Sequence, residues 1–114
     1  MFASGIVISP GCHYLLTNAG AGGYSGSVPG DATYSAGIAD DGGIAVRQPD
    51  GAVVDAVGMS GGSAFKEGDP LPNFGGANTD RSYQRFIDTS YNLSDFTMTA
   101  PGSPINRTGS CSIR

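Results

Sequence analysis

Apolar residues in this chain fall in short runs separated by glycine, proline, serine and Asx residues, and where a run alternates it does so with the period of a strand. The clearest pair, residues 44–46 and 53–57, flanks Gln48-Pro49-Asp50-Gly51. Proline presets φ there, aspartate can bond its own backbone and glycine accepts φ > 0, so the stretch predicts a hairpin. In the second run Val53, Asp55 and Val57 share one face, against Val54 and Ala56 on the other. Asp55 therefore either faces solvent or, if buried, needs a hydrogen-bond partner.

The same pattern predicts strands at residues 6–8, ended by Ser9-Pro10-Gly11, and at residues 13–17. Residues 18–30 are glycine-rich and predict a surface loop pinned by Tyr24 and Val28, with residues 32–38 approaching the sheet and residues 40–43 turning into the hairpin. Residues 59–80 form an irregular excursion, longer than the roughly 12–15 residues usual for a plain connection, with Phe65, Leu71 and Phe74 as its anchors. Residues 81–87 alternate, placing Tyr83, Arg85 and Ile87 on one side; residues 88–95 predict a polar loop and residues 96–99 a short strand. The reading is an all-β domain over residues 1–104 with a polar tail at 105–114. It contains no amphipathic helix and no internal repeat.

Composition narrows this picture. With 114 residues the chain has room for one core, and Leu, Ile, Val and Phe total 22, which makes that core lean. The 19 glycines and 7 prolines are dispersed between apolar runs, as in a domain of many short strands. Net charge is -4 with Lys66 the sole lysine, which argues against a nucleic-acid partner and against an anionic membrane surface. No run approaches the ~20 apolar residues needed for membrane insertion. The start has no basic segment and no apolar core, so it does not read as a signal peptide; an export signal would lie outside this chain. Cys12 and Cys111 are either two separate thiols or a bridge contributing on the order of 4 kcal/mol.

Candidate chemistry is sparse. Residues 58–62 fit G-x-S-x-G around Ser60, but a nucleophile elbow needs a following helix, and the sole histidine, His13, lies upstream. The stretch reads as a glycine-rich turn, and no catalytic residue is expected. Asp88, Asn92 and Asp95 form a D-x-x-x-N-x-x-D loop able to offer oxygens to calcium, yet without EF-hand spacing; side chains that cap loop backbone explain it more simply, and no other cofactor is implied. Arg85 is expected to pair with carboxylates such as Asp88 or Asp95, or with backbone carbonyls, so Asp55, Arg85, Asp88 and Asp95 are assigned structural roles. Asp40 and Asp41 read as turn acids, and His13 as a surface or hydrogen-bonded residue. The sequons at Asn92 and Asn106 matter only in a eukaryotic secretory pathway.

Taken in order, S-P-G-C-H-Y-L-L at residues 9–16, D-D-G-G-I-A-V at 40–46, D-G-A-V-V-D-A-V-G at 50–58, Arg85 within S-Y-Q-R-F, and D-T-S-Y-N-L-S-D-F at 88–96 followed by P-G-S-P resemble the lamin-tail domain of the bacterial type. The resemblance implies an immunoglobulin-like antiparallel β-sandwich acting as a non-catalytic module of a larger extracellular or cell-envelope protein and binding a protein partner. The family's opening I-x-E-like and W-I-E-L-Y-N-like strands are missing here, which leaves three readings of the sandwich: it is truncated at its N-terminus, a second copy completes the open sheet edge, or the remaining strands suffice. A calcium- or carbohydrate-binding β-sandwich is the alternative, the latter favoured if Tyr14, Tyr24, Tyr34 or Tyr91 group on one face.

Overall fold

A computed structural model describes residues 5–75 and 79–111. The signal-peptide reading of the chain start, residues 76–78 of the excursion and the last three residues of the tail fall outside that description. Among the described residues the order is β1 (Leu16–Asn18), β2 (Ala32–Tyr34), β3 (Gly43–Arg47), β4 (Val53–Gly58), β5 (Ser82–Arg85), a single helical turn α1 (Asn92–Asp95) and β6 (Phe96–Thr99). This is the β-rich, nearly helix-free architecture the pattern predicts. The strands pair as three two-stranded ladders, β1–β2, β3–β4 and β5–β6. Contacts divide the chain into two units, Met1–Gly37 with Pro104–Arg114, and Ile38–Ser103.

In the first unit β1 and β2 run parallel, Leu16 opposite Ala32 and Asn18 opposite Tyr34, a departure from the antiparallel expectation. The reason is the connection between them: a glycine-rich loop carries the chain back before β2 begins, which a parallel crossover requires and a tight hairpin cannot supply. Tyr24 pins that loop, its hydroxyl donating to the Val28 carbonyl at 2.8 Å. Residues 6–8 form no strand, and Val7 is 87% exposed. Among the described residues no strand pairs with them, and an apolar run without a ladder partner has nothing to hold it extended. The polar tail is tied down: Cys12 and Cys111 are disulfide-bonded, Asn106 Nδ2 donates to the Pro29 carbonyl at 3.0 Å, and Arg107 N–H donates to Asp31 at 2.8 Å.

In the second unit the turn chemistry acts as read. Gly51 takes φ 92°, its N–H donates to the Gln48 carbonyl at 2.9 Å, and Asp50 accepts from Ala52 N–H at 2.9 Å. The register sets Ile44 opposite Val57 and Val46 opposite Asp55, so these four share a face, while Ala45 and Ala56 take the other. The small-residue face is small for a reason: a Cβ at Gly58 would fall 2.8 Å from Lys66 Cα, because the excursion crosses that face. Its leucine is the anchor expected, Leu71 being 2% exposed and its N–H donating to the Gly58 carbonyl at 2.8 Å. With Ala56 and Met59 it makes the buried apolar centre among the described residues. In β5–β6, Tyr83 lies opposite Met98 and Arg85 opposite Phe96, the side predicted for Tyr83 and Arg85.

Candidate functional site

Arg85 organises the charged part of the second unit. It stands across from Phe96, and its guanidinium lies over that ring, 4.8 Å from the centroid. Both terminal nitrogens donate to Asp55, Nη1 to Oδ2 at 2.5 Å and Nη2 to Oδ1 at 3.0 Å. Asp55 is thus a partner of Arg85, with the charges of Asp88 and Asp95 also coupled to the guanidinium, and Asp55, left by the alternation to face solvent or find a partner, is part-exposed and hydrogen-bonded. The two lie 30 residues apart, and no local signal pairs them. Glu67, which the sequence did not mark, sits 3.9 Å from Nη2, and the acceptor oxygens of Asp55, Glu67 and Asp88 lie within 4.8 Å of one another. The Arg85 pKa is raised, first by its hydrogen bond to Asp55 and then, against the opposing cost of burial, by the charges of Asp55, Asp88 and Glu67.

Three carboxylates around one guanidinium make an internal ion-pair network. A calcium ion here would have to displace the arginine fork and still find the six or more oxygens it prefers. Because the Asp55 side chain is 37% exposed and Arg85 23%, solvent screens the pair, and a coupling of about 1 kcal/mol is expected from a double-mutant cycle of Asp55→Asn with Arg85→Gln. Raising the salt concentration should shrink it. A coupling of zero in two folded single variants would show that the fork contributes geometry alone.

The loop predicted at residues 88–95 instead closes with α1, and the turn points Asn92 and Asp95 inward, three apart on one side of it. Both are fully buried. Asn92 Oδ1 accepts from Gly58 N–H at 3.0 Å and Glu67 N–H at 2.9 Å, and Nδ2 donates to the Ala56 carbonyl at 3.1 Å. The amide thus occupies the outer edge of β4 as a neighbouring strand would. Asp95 Oδ2 accepts from the N–H groups of Thr89 and Tyr91, at 2.9 and 3.2 Å, and Oδ1 accepts from the Thr89 hydroxyl at 2.5 Å. Ser90, at φ 60°, lets the two flanking N–H groups converge on one carboxylate. These oxygens accept from loop N–H groups and the Thr89 hydroxyl in the manner expected of caps, and Asp88 Oδ1 likewise accepts from Ser90 N–H at 3.2 Å. The Asn92 sequon is out of reach of modification in the folded chain.

Burial raises the Asp95 pKa, but the hydrogen bonds from Thr89 and Tyr91 and the charge of Arg85 outweigh it, so the net shift is downward. A carboxylate whose folded pKa lies below its unfolded value of about 3.9 contributes stability that is complete above that pH and is lost as pH falls through the folded value. Acid unfolding of the second unit is therefore expected to set in below pH about 4. Asp95→Asn should be less stable than the parent at pH 7, and the gap should narrow in acid. An unchanged gap between pH 7 and pH 2 would remove Asp95 from the acid response.

Beside this network lies an apolar groove of about 460 Å³. Ile44 and Val57 line it from the hairpin, Leu71 and Phe74 from the excursion, and Tyr83 and Phe96 from the second ladder, with Arg81 and Asp40 as its charged wall residues. The sequence identified Leu71 and Phe74 as anchors but not that they border a groove. Burial raises the Tyr83 pKa, and Arg81 opposes the rise. The remaining candidates have structural places. Ser60 donates its hydroxyl to the Asp41 carbonyl at 2.7 Å in a turn that no helix follows among the described residues. Asp40 and Asp41 occupy the turn closed by Gly42 N–H on the Ala39 carbonyl at 2.9 Å. His13 is half-buried, and its Nδ1 makes no hydrogen bond among the described residues.

No protein-family model matches the chain, and comparisons with curated proteins and with solved structures return no match.

Proposed function

We propose that this chain is a non-catalytic interaction or tethering module of a larger exported or envelope protein, its strands forming part of an immunoglobulin-like sandwich of the lamin-tail kind. The observation that carries the reading is the exposed apolar surface of the central hairpin: Val46, Val53 and Val54 are 51%, 52% and 61% exposed on a ladder of only two strands. A two-stranded hairpin is marginal in water by itself, and apolar side chains exposed on both of its faces favour cover by another polypeptide. The polar side chains that suggested chemistry support the same reading, because Ser60, Asn92 and Asp95 are committed to main-chain groups. The disulfide supports an oxidising compartment, where such bonds persist.

A photo-crosslinking side chain placed at Val54 in the full-length parent protein should give one discrete adduct in its own envelope fraction, whereas the same group at Asp50 in the turn should not. An adduct of twice the protein's mass would identify a second copy as the partner. Equal labelling at both positions would reject the proposal, and so would turnover of ester, phosphodiester or glycoside substrates that disappears in Ser60→Ala.

A further inference from the structure

We infer that the apolar groove of the second unit binds a small anionic amphiphile, a carboxylic acid with one charged end and an apolar body. This goes beyond the interaction reading and rests on different residues. The groove's volume of about 460 Å³ falls within the roughly 300–1,000 Å³ typical of small-ligand sites, and its walls have the composition of such sites, mostly aliphatic and aromatic with few polar groups. Ile44 is 48% exposed although it lies on a paired strand and lines the groove. An apolar body against it would remove that surface from water.

The charge of the ligand follows from Arg81. This wall residue stacks on Phe74, its guanidinium carbon 5.2 Å from the ring centroid, and Nη2 donates to the Phe74 carbonyl. Among the described residues its buried Nε has no hydrogen-bond partner, and no carboxylate lies within ion-pair distance of the side chain. A buried donor on a charged group calls for an acceptor, and a carboxylate matches the planar fork better than a neutral oxygen does. The stacking holds the fork against an aromatic wall, where an apolar body can lie alongside it. Asp40, the other charged wall residue, makes no ion pair among the described residues and disfavours a second negative group, so the ligand carries a single anionic end.

Titration calorimetry with 4-phenylbutyrate and with the uncharged 4-phenylbutan-1-ol tests this on the full chain. The acid should bind at least tenfold more tightly than the alcohol. Amide and methyl chemical shifts should move at Val57, Leu71 and Phe96. Arg81→Gln should bring the two affinities together, Arg81→Lys should retain most of the preference, and Asp40→Asn should tighten the acid alone. The comparison in the unaltered chain is decisive even if an Arg81 variant fails to fold. Equal affinities, absence of binding, or shifts confined to residues away from the groove would overturn the inference.

Discussion

Asn92→Ala is expected to destabilise the second unit by about 3–5 kcal/mol, since leaving a buried donor or acceptor unpaired costs roughly 1–3 kcal/mol each. The alanine strands the N–H groups of Gly58 and Glu67 and the carbonyl of Ala56 at a position that is itself fully buried. Against a total of about 5–15 kcal/mol for an ordinary domain, this is enough to unfold a lean one at room temperature. Asn92→Asp separates the polar contribution from volume. The aspartate can keep the two accepted bonds, but it turns an oxygen toward the Ala56 carbonyl where the amide donated, so it too should lose stability despite near-identical shape. Urea titrations of the three proteins measure the effect. An unfolding free energy for Asn92→Ala within about 0.5 kcal/mol of the parent would mean that the amide does not cap β4, since that is the range of an ordinary surface substitution.

Breaking the cross-link between Cys12 and Cys111 should have an effect of similar size in the first unit. The bond joins residues 99 apart, for which the chain-entropy account gives roughly 4–5 kcal/mol. That figure is an upper bound here: if the second unit stays folded after reduction, the cross-link restrains a shorter flexible path than the full separation. The other ties of the first unit among the described residues are short-range or single hydrogen bonds. Its ladder has three residues per strand, and its tail is otherwise held by the contacts of Asn106 and Arg107 to Pro29 and Asp31. Cys12→Ser with Cys111→Ser should abolish amide-exchange protection at Ala32 and Arg107 while leaving Gly58 and Asn92 protected. Protection retained at all four would show that the bond is dispensable; protection lost at all four would show that the two units unfold together.

The two effects differ in how far the sequence announced them. Asx residues in a polar loop suggested caps, and they are caps. Yet the groups Asn92 satisfies belong to residues 34 and 25 positions away, and Ala56 lies 36 away, distances over which a local pattern carries no information. Arg85 is a similar case. Its side of the strand was readable from alternation, whereas its fork on Asp55, 30 residues away, depends on how the two ladders of the second unit approach each other. The run at residues 6–8 shows the opposite failure, a strand-like sequence that takes no ladder partner among the described residues.

By itself the sequence determined what is local. The Gln48–Gly51 turn, the two strands it joins and the short strand at Phe96–Thr99 follow from the φ limits of proline and glycine and from period-two alternation, which act over a few residues. The tertiary structure decided everything that requires distant segments to meet: the parallel pairing of β1 with β2, the union of Cys12 and Cys111, the partner of Arg85, the amide that finishes the edge of β4, and the groove beside Arg81. Those depend on which surfaces come together once local choices are made, and burial rewards such meetings by contact, with no regard to separation along the chain.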